Sequence, residues 1–128
     1  MKEIASNNYY SIKVDEGKNR LYFAIIGFWK EPMQVPEYVH DMEKATKLLS
    51  KGFTVLSDLT QMKTPAQEIG PLHVKVQQLL VKAGLSKTAE LQSESALTKM
   101  NVDKVSKTSG MAKGTFTSIM NAEIWLNS

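Results

Sequence analysis

The octet Leu21-Tyr-Phe-Ala-Ile-Ile-Gly-Phe28 constrains this chain more than any other stretch. It is apolar at almost every position, so an extended strand made from it is apolar on both faces. Such a strand belongs inside a sheet that is covered on both sides. The longest apolar run, Leu21 to Trp29, is far too short to cross a bilayer as a helix. The chain therefore needs covering layers, and its 128 residues supply them within one domain, residues 1–128.

The other elements follow from periodicity and punctuation. Tyr9 to Val14 alternates, with Tyr10, Ile12 and Val14 on one face. DEGKN then reads as a hairpin turn, with Gly17 suited to positive φ. After Pro32 and Pro36 a helix is expected. Val35, Tyr38, Val39, Met42, Ala45 and Leu49 form its buried stripe, and Glu37, Asp41, Lys44, Lys47 and Lys51 its solvated face. Gly52 stops that helix, and Phe53 to Leu59 is a strand. A second helix starts either at the capping-box pattern Thr64-Pro65-Ala66-Gln67 or at Gly70-Pro71. It carries Ile69, Leu72, His73, Val76, Leu79, Leu80 and Ala83, and ends at Gly84.

Thr88 to Gln92 alternates as another strand. Ser95 caps a helix running to about Ser109, Phe116 lies in a short extended piece, and Ser118 caps a final helix with Ile119, Ala122, Trp125 and Leu126. The order is β-β-α-β-α-β-α-β-α. It predicts an α/β fold whose mixed sheet has about five strands and about four helices, with one antiparallel pair at its start and right-handed parallel crossovers after it.

Charge and composition narrow the function. Net charge is +3, but fifteen of the sixteen basic residues are lysines scattered among acids, and Arg20 is the lone arginine. Nucleic-acid recognition leans on clustered arginine, so no nucleic acid is expected as a partner. There is no cysteine, which removes disulfides, thiolate metal sites and thiol nucleophiles. The start of the chain, MKEIASNNYY, lacks the apolar core of a signal peptide. A soluble, cytoplasmic protein without an integral membrane segment is expected.

Three stretches together resemble the STAS-like superfamily, in particular its SpoIIAA-like branch of STAS/SEC14-like domains. They are the strand VLSDLTQM with its proline-interrupted loop, the run LLVKAGLSKTAELQSESAL, and the tail FTSIMNAEIWL. The resemblance spans roughly Tyr9 to Leu126. It implies the SpoIIAA-like fold and a non-enzymatic module that binds partner proteins, with some relatives binding nucleotides or lipids. One family feature is missing. Anti-sigma antagonists carry a phosphorylated serine in an Asp-Ser-Ser-Gly-like turn, whereas this chain has TQMKTPAQEIGP, with Thr60 and Thr64 as the nearest hydroxyls. Control by a sigma-factor kinase is not carried over.

The candidate binding residues are Trp29, Asp58, Thr60, Thr64 and His73. Ligands of open α/β sheets collect beyond the carboxyl ends of parallel strands. Trp29, Asp58 and Gln92 lie near three such ends. Asp58 there serves either a ligand or the backbone of its own loop. Trp29 either lines a pocket or plugs the core beneath the first helix. His73 stands on an apolar helix stripe as a packed residue or as half of an acid–base pair with Asp58. His40-Asp41 lacks the further ligands a metal needs. No nucleophile elbow or phosphate-cradling glycine loop is present, so neither a catalytic residue nor a cofactor is assigned.

Three functions remain. The first is a regulatory module that contacts a protein partner or a second copy through the sheet edge and the first two helices. The second is a binder of a lipid or similar apolar small molecule, with Trp29 or Tyr22 on the pocket wall. The third is a hydrolase-like enzyme, which requires Asp58 and His73 within hydrogen-bond reach.

Overall fold

The computed structural model describes residues 1–92 and 113–128. Its sheet has six strands in chain order: β1 (Lys2–Ser6), β2 (Tyr10–Asp15), β3 (Arg20–Gly27), β4 (Thr54–Met62), β5 (Lys87–Leu91) and β6 (Lys113–Phe116). β1, β2 and β3 form an antiparallel meander, and β3 through β6 run parallel. Helices α1 (Tyr38–Thr46) and α2 (Gly70–Lys82) link β3 to β4 and β4 to β5, and α3 (Ile119–Asn127) ends the chain. The helix expected from Ser95 to Ser109 lies outside the described residues.

The octet behaves as its composition demands. Leu21, Phe23 and Ile25 pack into the larger core, with α1 and α2. Tyr22, on the opposite face, packs against the smaller core of Leu56, Ala89, Leu91, Ala122 and Leu126 beneath α3. β3 is thus covered on both sides, as a strand apolar on both faces requires.

Four expectations need correction. Lys2–Ser6 adds a strand, so the antiparallel part has two pairs rather than one. Its residues are mostly exposed at a sheet edge, where little apolar alternation is needed. The hairpin turn takes its positive φ at Asn19 (53°) rather than Gly17. The Asn19 side chain donates to the Ser50 carbonyl at 3.0 Å and accepts from Ser50 N at 2.8 Å, which ties the hairpin to the loop before β4. The first helix ends at Thr46, six residues before Gly52, whereas of the two starts offered for the second, regular α2 takes Gly70-Pro71, after a 3-10 turn over Gln67–Ile69. Finally, Asp41 is buried rather than solvated. It sits beside the Tyr38–Met42–Ala45 stripe and accepts a 2.6 Å hydrogen bond from the Tyr10 hydroxyl.

The single arginine is used internally. Arg20 is buried and donates through Nε to Thr54 Oγ1 at 2.9 Å, and through its terminal nitrogens to Glu123 and Asn127 of α3. Burial raises the Glu123 carboxyl, but hydrogen bonds from Tyr22, Arg20 and Lys18 outweigh it and hold the group below its ordinary value. Lys87 donates to the Trp125 carbonyl at 2.6 Å with its ammonium over the indole ring. These contacts fix a helix of only nine residues, which would not hold its shape alone. Ser118 caps it by accepting from Asn121 N.

Candidate functional site

The side chains of β4 alternate between the two faces. Val55, Ser57 and Leu59 point toward α1 and α2, and Leu56 and Asp58 point to the other side. A cavity of about 40 Å³ lies between the sheet and α2 on the first face. Phe23, Val55, Val76 and Leu80 supply apolar wall, and Ser57, His73, Gln77, Thr88 and Glu90 supply polar wall. Glu90 is buried and forms an ion pair with Lys113 at 3.0 Å.

His73 is the best-defined polar group at this cavity. Ile69, His73, Val76 and Leu80 follow at helical spacing and bury one stripe against the sheet. The ring stacks on Trp29, with centroids 5.1 Å apart, and meets Tyr38 edge-on. Its Nδ1 hydrogen-bonds the Tyr38 hydroxyl at 3.0 Å. Its Nε2 is buried and has no protein hydrogen-bond partner among the described residues. Burial disfavours the charged ring and lowers its pKa to about 4, so His73 is neutral around neutral pH. Burial likewise pushes the Tyr38 hydroxyl well above its ordinary range, which keeps it protonated.

The five residues singled out from the sequence fall into two groups. Trp29 and His73 stack on each other. Trp29 is 1% exposed, donates from its indole to the Tyr9 carbonyl at 2.9 Å, and packs against Tyr10 and Tyr38. It supports the His73 ring from behind and does not line the cavity. Asp58 and Thr60 form the second group. Between Ala24 and Ile26 of β3, β4 spends an extra residue, and Asp58 accepts from Thr60 N at 3.0 Å and Thr60 Oγ1 at 2.6 Å across that bulge. Thr64 is half-buried in the loop after β4.

The requirement for a hydrolase-like pair is not met, because His73 and Asp58 face opposite sides of the sheet. Tyr22 also lies on the Asp58 side and not on the cavity wall. There, Lys13, Tyr22, Leu56, Asp58 and Ile119 border a shallow groove of about 220 Å³.

Sequence reading missed Ser57, Gln77, Thr88 and Glu90. The signal for Ser57, Thr88 and Glu90 is alternation in β4 and β5, and Gln77 follows His73 by one helical turn on α2. Ala89 and Leu91 enter the core under α3, which sends Thr88 and Glu90 toward the cavity. Among the described residues no group of three or more acids and histidines is placed to hold a metal ion, and no helix is long and apolar enough to cross a membrane.

No family model matches the sequence, and no curated protein is significantly similar to it. Among solved structures it is similar to an uncharacterized protein of the DUF3478 family from Shewanella loihica PV-4, which has a SpoIIAA-like fold. The TM-score is 0.62 at 14% identity, over 95% of this chain and 97% of that one. The chain has a SpoIIAA-like fold.

Proposed function

We propose that this SpoIIAA-like chain is a cytoplasmic, non-catalytic binding module that takes a small, largely apolar molecule between its sheet and α2. One observation carries the reading. The cavity wall is mainly apolar, yet it includes His73, whose buried Nε2 lacks a hydrogen-bond partner among the described residues. An apolar pocket with a few convergent polar groups is the usual form of a small-molecule site. A buried polar atom without a partner costs about 1–3 kcal/mol, which a bound molecule can recover. A neutral histidine whose ring is tied to Tyr38 and Trp29, with no carboxylate on its Nε2 among the described residues, suits recognition better than proton transfer.

Native mass spectrometry of protein purified gently from its own cells tests this reading. A small molecule retained by the wild type and lost from Val76→Trp, which fills the cavity, is the expected result. Equal retention by both proteins would overturn it.

A second reading, a contact between two copies of the chain, has its own observation. Ile119, Met120 and Ile124 on α3 are 59%, 69% and 61% exposed. The adjoining groove carries both Lys13 and Asp58. A two-fold contact would place this apolar patch and its charged groove against the same surface of a second copy. Sedimentation velocity with the wild type and Ile119→Lys decides it. A wild-type dimer that the variant loses supports the contact, and a wild-type monomer up to high micromolar concentration removes it.

A further inference from the structure

We infer that the pocket recognises a neutral molecule through a hydrogen-bond-accepting oxygen, of the carbonyl type, placed on the Nε2–H of His73. The inference rests on the binding reading above and names the chemistry of its ligand.

The proton is located by counting hydrogen bonds. Among the described residues, the buried Tyr38 hydroxyl has one hydrogen bond, to His73 Nδ1. If Tyr38 donates, its proton and the Nδ1 lone pair are both used, and one group, Nε2–H, is left over. If Nδ1 carries the proton instead, Tyr38 accepts, its own O–H finds no acceptor, and Nε2 keeps a bare lone pair. That arrangement strands two buried groups in place of one, so the Nε2–H form is favoured. The free nitrogen is then a donor, and its partner must accept.

The rest of the wall sets charge and size. Among the described residues Glu90 is the one carboxylate bordering the cavity, and it is already matched by Lys113. The wall therefore offers an entering anion no net positive charge, and burying an unmatched charge is unfavourable. A cavity of about 40 Å³ has room for a group of only a few heavy atoms. A small ketone or amide, or such a group at the tip of a larger molecule, satisfies all three conditions.

The first measurement needs no variant. Long-range 1H–15N correlation spectra of the His73 ring read its tautomer directly. The Nε2–H form is expected, and the Nδ1–H form would overturn the inference. The second is an NMR titration with 2-butanone, its alkene isostere 2-methyl-1-butene and the anion propionate, followed at the Val76 and Leu80 methyls. His73→Phe should weaken 2-butanone by about fivefold or more and the alkene by less than about twofold. Propionate should bind more weakly than 2-butanone. Equal weakening of ketone and alkene, or tighter binding of propionate, would overturn the inferred chemistry while leaving the binding reading intact. If none of the three compounds shifts these methyls, the binding reading itself fails, and the inference fails with it.

Discussion

Replacing His73 by asparagine should flatten the acid side of the stability profile. In the unfolded chain this ring takes up a proton near its ordinary value of 6.5, and in the folded chain only near about 4. Between those values the unfolded state holds more protons, so stability is full above the upper value and falls as pH drops toward the lower one. The whole difference is worth about 3 kcal/mol, and about 2 kcal/mol of it is lost between roughly pH 7.5 and pH 5. Asparagine can still accept from Tyr38 but has no proton to take up in this range. Urea unfolding at several pH values, wild type against His73→Asn, isolates the effect, because the carboxylates common to both proteins cancel. The wild type should lose about 2 kcal/mol more than the variant over that interval. Parallel profiles would refute the claim that this ring is held neutral by burial.

Other perturbations test the framework around the site. Tyr10→Phe removes the donor from buried Asp41 and should cost about 2 kcal/mol by chemical denaturation. Glu123→Ala strips buried Arg20 of its carboxylate and should cost about 2 kcal/mol, with amide exchange in α3 rising before the rest of the chain, whereas Lys18→Ala should leave stability unchanged. Gly84→Ala places a Cβ 2.8 Å from Lys51 Cα at a φ of +110°, and should lower the melting temperature by an amount matching about 2 kcal/mol. Asp58→Ala should cost about 1 kcal/mol from the bulge and leave ligand binding at the His73 pocket unchanged.

The parts of this fold that were readable in the sequence are those decided by short-range patterns. Leu21 to Phe28 declares a doubly covered strand. Gly84 takes the positive φ, +110°, just past the end of α2. Phe116 and Ser118 stand where the last strand and helix cap were expected. What stayed hidden depends on partners distant in the chain. Asp41 reads as one more surface charge until Tyr10, thirty-one residues earlier, is seen to reach it. Asp58 reads as a strand-end carboxylate until the register of β3 against β4 reveals the bulge it closes. The edge strand Lys2–Ser6 lacks an apolar signal because it buries little.

The site divides in the same way. His73 was visible as an anomaly on an apolar stripe, and Trp29 as a large aromatic at a strand end. Their stacking on each other was not visible, nor was the polar wall of Ser57, Thr88 and Glu90, because it depends on which face each strand turns toward α2.

A crystal structure of the protein purified gently from its own cells decides whether the space between the sheet and α2 is a ligand site. Density is expected for a small molecule there, with an oxygen atom within hydrogen-bond distance of His73 Nε2. A pocket closed by the Val76 and Leu80 side chains, with Nε2 bonded to the protein itself, would contradict that reading.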